Sequence, residues 1–452
     1  MNLRNELALS VAKLSKITVK KLHLGNATSL PGKLALKISP NILSCFTKQV
    51  KKEIITVTGT NGKTSTCGLL ASILRADERK IIHNSKGANM LTGIASALID
   101  NSSMNFKINA DNFLFEMDEA YFAKAVDFFS PDLILVTNLF RDQLDRYGEL
   151  DTTAKKIQSA IDKSKHPTVI LNADDPGVSS LQNNNGEKIF YGFENINFDF
   201  DFDRTKETSV AEISYCTCGE KYAYEKVFYA HQGHYFCKSC GNKRPAPQIC
   251  ADAQISRDKS TLTIKYQNQE FVFHANIPGL YNAYNVLGAI AAALILKIPP
   301  QTIQEGLNNF KTEFGRSEKL TINDKNILIQ LIKNPVGATE VIKNIDTAKE
   351  ENTLLIIIND NYADGRDVSW LWDAKFELLK DFEGKIIISG IRASDMAVRL
   401  KYAGVDMTKA EIIPDIKNAL KKSIDITQKN AMLNIIPTYT ALLEIDKMKH
   451  TL

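Results

Sequence analysis

Short apolar runs recur between residues 54 and 175, each closing on polar positions and each followed by a stretch with helical spacing. The runs fall at residues 54–58, 80–83, 113–116, 133–136 and 169–171, which predicts strands that alternate with helices in a parallel, doubly wound α/β sheet. Ligands of such sheets bind at the carboxyl ends of the strands, where Asn84, Glu116, Asn138 and Asn172 stand. Between residues 188 and 274 the rhythm changes to aromatics and Cys/Gly knuckles, with hairpin strands expected at 260–264 and 270–273. The core resumes at Ile277, with a helix over 286–296 and another after Pro299-Pro300. A new strand-helix series then begins at 327–332, 353–358, 385–389 and 431–436. The 452 residues are too many for one compact core. The pattern divides them into a basic helical arm over 1–52, a central domain over 53–318 and a C-terminal α/β domain over 319–452.

The first run leads into Gly59-Thr60-Asn61-Gly62-Lys63-Thr64 and then into a helical segment from Cys67 to Leu74. Strand, glycine loop and helix is the arrangement that cradles a nucleoside triphosphate, since glycines let backbone N–H groups face phosphate and the helix N-terminus favours negative charge. Lys63 would meet the β- and γ-phosphates and the Thr64 hydroxyl would meet Mg²⁺. Val57 occupies the place where the general eight-residue pattern has its first glycine. The plainer alternative is a glycine turn ahead of a core helix.

Charge narrows the field. A net charge of +4 gives no case for nucleic acid. The excess is local: ten Lys and Arg residues precede position 53 against Glu6 alone. That arm has no signal-peptide core, and no apolar run is long enough to span a bilayer, so a cytoplasmic protein is expected. Leu7, Leu9, Val11, Leu14, Ile17 and Val19 allow an amphipathic helix, packed on the first domain or drawn to the anionic inner face of the membrane.

Seven cysteines in such a chain do not read as a disulfide framework. Cys216-Thr217-Cys218-Gly219 and Cys237-Lys238-Ser239-Cys240-Gly241 form two glycine-flanked pairs separated by eighteen residues. Four thiolates at that spacing suit a closed, tetrahedral, structural zinc site, a ribbon inserted at about 210–245 whose role is to fold the insertion. Unrelated reduced thiols are the alternative. His231 and His234 lie between the pairs and are expected at the surface. Glu116, with Asp118 and Glu119 behind it, has the address of a second Mg²⁺ ligand beside Thr64, or of an acidic helix cap. Asn172-Ala173-Asp174-Asp175-Pro176 is placed to meet an adenine.

The glycine loop, Asn138 with Asp142-Gln143-Leu144-Asp145-Arg146, the Asn172–Pro176 stretch, Gly279 with Asn282 and Asn285, and Gly315-Arg316 together resemble the Mur ligase family over about residues 50–345. The resemblance also covers Val57, because the family's loop is truncated. Members use ATP to activate a carboxylate as an acyl phosphate, which an amine attacks. The cysteine ribbon, the stretch Asn359-Asp360-Asn361-Tyr362-Ala363-Asp364-Gly365-Arg366-Asp367, the stretch Asn84–Met90 and Leu331–Gly337 resemble the MurT-type branch, whose members are synthetase subunits working with a separate GatD-type glutaminase.

That resemblance implies amidation of the D-isoglutamate α-carboxylate of lipid II, in a heterodimer, in peptidoglycan synthesis. It implies ATP contacts by Gly59, Thr60, Asn61, Gly62, Lys63, Thr64, Asn172, Asp175, Asn282 and Arg316, and Mg²⁺ held by Thr64 and Glu116. The cysteines Cys216, Cys218, Cys237 and Cys240 would hold zinc. Asp367 would reach the partner and orient its histidine in a Cys-His-Asp triad; Asp360 and Asp364 are rival candidates, and an Asx-turn loop is the plain alternative. Gln143 replaces a histidine common in the family, and neither Lys155 nor Lys156 is in register with its carbamylated lysine. Two other functions remain open at this level. A stand-alone amino-acid or folylpolyglutamate-type ligase would turn over without a glutaminase. A zinc-ribbon nucleic-acid-binding ATPase would show DNA- or RNA-stimulated hydrolysis that falls steeply with salt.

Overall fold

The computed structural model describes residues 3–21, 28–84, 88–140, 149–199, 215–256, 258–311 and 316–448. The segments Asp142–Arg146 and Ser85–Gly87, the position Gly315 and the side chain of Arg316 therefore lie outside the described residues.

The strands are β1 (Ile54–Thr58), β2 (Ile81–His83), β3 (Asn112–Glu116), β4 (Leu133–Val136), β5 (Thr168–Asn172), β6 (Lys188–Phe198), β7 (Ala223–Tyr229), β8 (Gln232–Phe236), β9 (Ile249–Ile255), β10 (Ser260–Tyr266) and β11 (Gln269–Ala275). Then come β12 (Arg316–Ile322), β13 (Lys325–Gln330), β14 (Thr353–Ile357), β15 (Lys385–Ser389), β16 (Ala410–Ile412) and β17 (Met432–Pro437). One sheet has nine strands in the order β11-β10-β9-β6-β5-β4-β1-β3-β2, a second has six in the order β12-β13-β17-β14-β15-β16, and β7 and β8 pair alone.

Strands β2 to β6 and β1 pair in parallel, as does β6 with β9. Both faces of this part are covered, which explains its continuous apolar runs. Alternate side chains serve the two faces. Ile55, Val57, Leu114, Leu135 and Ile170 share a core with the helices Lys63–Ala76 and Leu280–Ile295. Phe113, Phe115, Ile134, Val136 and Leu171 share another with the helices Leu91–Asp100 and Glu149–Lys163.

The region that breaks the α/β rhythm extends this sheet instead of leaving it. β9, β10 and β11 pair antiparallel along its far edge. The β10–β11 turn has positive φ at Gln267 and Asn268 (50° and 61°), the backbone of a tight hairpin, and a two-residue turn joins only antiparallel strands.

The basic arm forms three helices, Leu3–Lys21, Leu30–Ile38 and Ile42–Thr47. Ala8, Leu9, Ala12, Ala35 and Phe46 bury themselves in the second core, where Leu9 and Phe46 contribute about 1.5–3 kcal/mol each. Lys16 pairs with Asp100 at 2.5 Å. The outer face of the first helix leaves Leu3, Leu7, Leu14 and Ile17 exposed. Among the described residues no helix is long and apolar enough to cross a membrane.

Candidate functional site

The glycine loop turns between β1 and the helix Lys63–Ala76, and two of its positions admit glycine alone. Gly59 has φ of 121°, and a Cβ there would lie 2.3 Å from Thr137 Oγ1. Gly62 has φ of 82°, and a Cβ would lie 2.0 Å from Asn285 Oδ1. Left-handed φ and close approach together exclude any side chain.

The loop is held from the strand ends. Asn138 Oδ1 accepts the Asn61 N–H at 2.8 Å, and its Nδ2 donates to the Asn61 carbonyl at 3.1 Å. The Thr60 N–H donates to the Asn138 carbonyl at 2.9 Å. Asn138 is thus a splint for the loop, not a free ligand group. Asn84 does the same for β3: its Oδ1 accepts the Glu116 N–H at 2.8 Å and its Nδ2 donates to the Glu116 carbonyl at 2.8 Å.

Lys63 is buried and folds back over the loop, donating to the Gly59 carbonyl at 2.5 Å and to Glu119 Oε1 at 3.1 Å. Glu116 is 2% exposed. Its Oε1 accepts from Asn89 at 3.3 Å, while its Oε2 is buried with no hydrogen-bond partner among the described residues. A buried, unsatisfied carboxylate oxygen is costly unless something binds it. Thr64 and Glu116 line one cavity, so this pair fits a hard divalent cation with oxygen ligands.

Two clefts flank the loop. The first lies between Gly62 and Ser65, the first turn of helix Leu280–Ile295 (Tyr281, Asn282) and the C-terminal unit at Lys333 and Asn334. The second lies between Lys63, Thr64 and Glu116 on one side and Lys333, Asp364 and Tyr439 on the other. Asn61, Gly62, Leu331 and Lys333 belong to both walls. Asn334 is a site residue the sequence did not single out. Its Oδ1 caps the helix Pro335–Lys343 through the Gly337 N–H at 2.8 Å, while its Nδ2 donates to Asn61 Oδ1 at 3.1 Å. The helix cap is legible before Pro335, but the partner across the cleft is not.

Asn172 and Asp175, expected to meet an adenine, stand behind the first cleft. Neither lines a cleft, because both are fully buried behind the wall with their polar atoms used inside the protein. Asn172 Nδ2 donates to the Thr137 carbonyl at 3.1 Å. Asp175 caps a short helix, accepting from Gly177 and Val178, and also accepts the Leu139 N–H at 2.9 Å. Their side chains brace the framework behind the cleft wall. Asn282 does line the first cleft, with its Nδ2 donating to the Pro278 carbonyl at 2.7 Å.

The four cysteines come together: their sulfurs all lie within 4.8 Å of one another, with Cys216–Cys240 and Cys218–Cys237 at 3.5 Å. Sulfurs at tetrahedral corners about 2.3 Å from a centre give similar edges, so the cluster fits one metal ion of zinc type. Burial pushes the Cys216 thiol up, but the Cys218 N–H and the Asn242 amide, with Cys240 and Tyr222, outweigh it and bring it to about 5.

The ribbon is bolted to the nine-stranded sheet. Arg244 donates to the fully buried Asp174 at 2.6 Å and to Glu194 at 2.9 Å. Burial pushes the Asp174 carboxyl up, against the pull of Arg244 and the bonds from Phe193 and Tyr284. The Gly233 N–H donates to the Asp174 carbonyl at 2.9 Å. The expected surface positions of His231 and His234 are overturned for the same reason. His231 is fully buried against the Phe140 ring (4.7 Å) with Nε2 3.3 Å from Asp175, and His234 Nε2 bonds the Phe193 carbonyl at 2.9 Å.

In the C-terminal unit, Asp360 pairs with Arg392 at 2.7 Å, and Asp364 accepts from the Thr440 N–H at 2.7 Å and its hydroxyl at 2.5 Å. Asp367 sits partly exposed at the tip of the same loop, its carboxyl held below the usual range by the Ser369 hydroxyl and N–H. Of the three aspartates, it alone has no bond to another element of the C-terminal unit among the described residues.

Residues 57–225 match the Mur ligase middle domain and residues 331–442 the MurT ligase C-terminal family. The lipid II isoglutaminyl synthase (glutamine-hydrolyzing) subunit MurT of Streptococcus pneumoniae is 36% identical, over 99% of this chain and 97% of that protein. The protein of that name from Staphylococcus aureus is 34% identical, over 97% and 96%. Among solved structures, a pseudomurein peptide ligase type C from Methanothermus fervidus aligns with a TM-score of 0.68 at 24% identity, over 89% of this chain and 79% of that one. MurF from Acinetobacter baumannii aligns with a TM-score of 0.66 at 15% identity, over 92% and 80%. At those identities the two structures speak for the fold.

Proposed function

The chain belongs to the Mur ligase family and, within it, to the MurT subunits, and from that membership we propose that it amidates the D-isoglutamate α-carboxylate of lipid II as the synthetase half of a heterodimer. The reading is supported by the orphaned Glu116 oxygen beside Thr64, at a glycine loop whose cleft is closed by the C-terminal unit.

ATP would lie across the loop with its base in the first cleft and its γ-phosphate toward the second. Lys63 would exchange the Gly59 carbonyl and Glu119 for phosphate oxygens, offering a charge where negative charge builds up in the transfer. Thr64 and Glu116 would hold Mg²⁺, whose charge would offset the negative charge of the phosphates. The substrate carboxylate attacks the γ-phosphorus, ADP leaves, and an acyl phosphate forms. Ammonia then attacks the acyl carbon, phosphate departs with the C–O bond electrons, and the nitrogen sheds a proton to give the amide. The pocket wall at Asp364 and Tyr439 belongs to the C-terminal unit, so ammonia would arrive from that side.

The ammonia would come from a GatD-type glutaminase. Asp367 supports that assignment by its place: ionised, partly exposed, and without the intra-unit ties of Asp360 and Asp364. A carboxylate there would fix the partner histidine's tautomer and orientation. The four cysteines would hold structural zinc. The exposed leucines of the first helix, with its lysines, would rest on the inner face of the cytoplasmic membrane where the lipid-linked substrate resides.

The deciding experiment mixes the chain with the glutaminase, ATP, Mg²⁺, glutamine and lipid II, and follows the product by mass spectrometry. Amidated lipid II with matching ADP is expected. Unchanged lipid II, or ADP release driven by an added amino acid without glutaminase, would sink the proposal.

A further inference from the structure

The ribbon reaches beyond its own fold. The tip of its hairpin, where Tyr229 on β7 faces Gln232 on β8, forms part of the wall of the first cleft. The turn between them is tight, with Ala230 at φ of 51° and His231 plugged against Phe140 and Asp175. Tyr229 packs on Phe140 at 5.3 Å and tilts against Tyr284 at 6.4 Å. Tyr229, Tyr281 and Tyr284 give the cleft an aromatic lining of the kind that accepts a flat heterocycle.

Gln232 is 1% exposed, and its Oε1 has no hydrogen-bond partner among the described residues. The orientation of its amide is fixed by chemistry. Nε2 lies 3.4 Å from Asp175 Oδ2, and a carboxylate oxygen demands the donor end, so the acceptor end of this cleft-lining side chain is the one left without a partner among the described residues. A buried carbonyl oxygen without a donor carries a desolvation cost that a ligand N–H would remove.

We propose that Gln232 selects the nucleobase: its Oε1 accepts a hydrogen bond from the exocyclic amino group of adenine, so that the cysteine ribbon sets the preference for ATP. This rests on the reading that the glycine loop binds the triphosphate. Adenine offers an amino donor where guanine offers a carbonyl acceptor, and two acceptors facing each other in a buried wall repel. Asp175 is the positioning residue, since it holds the Gln232 amide the right way round.

The test measures binding of ATP, of the purine riboside triphosphate that lacks the 6-amino group, and of inorganic tripolyphosphate by calorimetry. The full chain is used as wild type, Gln232→Met and Lys63→Ala, with melting temperature as a check on folding. Wild type should bind ATP about tenfold more tightly than the deamino analogue. Gln232→Met should bring the two to equal affinity while tripolyphosphate binding stays as it was. A purely structural role for Gln232 would weaken all three ligands together and overturn the proposal. So would a wild type that does not distinguish ATP from the analogue, a comparison that needs no variant to fold. Failure of the glutamine assignment with intact, Lys63-dependent ATP binding leaves the loop's role standing; loss of ATP and tripolyphosphate binding in wild type removes both.

Discussion

Asn334 Nδ2 and Asn61 Oδ1 are hydrogen-bonded at 3.1 Å across 273 positions of chain, tying the head of a C-terminal helix to the glycine loop. The same Asn334 caps its own helix with the other end of its amide. Asn334→Asp keeps the cap, which needs only an oxygen, and sets two acceptors against each other at the loop. The KM for ATP should rise by about tenfold with the melting temperature nearly unchanged. Steady-state ADP release and a thermal melt check this, and equal loss in both would mean that only the cap mattered.

Glu116→Gln removes the charge of the orphaned oxygen while keeping its shape. Its Asn89 contact can survive, so the fold should hold. The Mg²⁺ concentration for half-maximal activity should rise at least tenfold and kcat should fall by about 10²-fold. A Mg²⁺ titration at saturating ATP reads both. Wild-type Mg²⁺ dependence in the variant would remove Glu116 from the ligand set.

Asp367→Asn should separate the two halves of the reaction. Glutamine-dependent amidation should drop by about 10²-fold or more, while amidation fed by ammonium salt stays near wild type. Asp360→Asn should instead lower stability, because it removes the charge that faces Arg392 at 2.7 Å and leaves that arginine, among the described residues, only Asp395 at 3.7 Å.

Metal analysis of the purified chain should give one zinc per molecule, and Cys237→Ser should lower it. Because the ribbon hairpin forms part of the first cleft wall, chelation should weaken ATP binding as well as lower the melting temperature. Tripolyphosphate binding should suffer less. An unchanged ATP affinity in zinc-free protein would uncouple ribbon from cleft.

His83 supplies a pH test. Burial, with Arg75 nearby, lowers its folded pKa from 6.5 to about 4, and its Nε2 has no hydrogen-bond partner among the described residues. Between those values the unfolded chain binds a proton that the folded chain refuses, so acidification favours unfolding. The stability at stake is complete above pH 6.5 and is lost as pH falls to 4, by up to about 3 kcal/mol. Urea denaturation from pH 7 to 4 should show this slope in wild type and a shallower one in His83→Leu.

The sheet was readable because β1, β3, β4 and β5 are buried on both faces and therefore consist mostly of apolar residues. The glycine loop was readable because two left-handed or crowded positions leave no choice of residue. What spacing could not convey is who meets whom across long stretches of chain. Asn138 and Asn172 stand at strand ends as ligand groups would, yet tertiary contacts spend their amides on the loop and on Thr137. His231 sits among polar neighbours in sequence, and only the docking of the ribbon onto Phe140 and Asp175 buries it. The pairing of Asn61 with Asn334 belongs to the same class.

The two clefts share Asn61, Gly62, Leu331 and Lys333, and this common partition has a thermodynamic consequence. A ligand that draws the partition into place in one cleft prepares it for the other. Reciprocity then requires that the factor by which nucleotide tightens the hold on the acceptor equals the factor by which the acceptor tightens the hold on nucleotide. Under the proposed reaction, such coupling would restrain ATP use while no acceptor is bound.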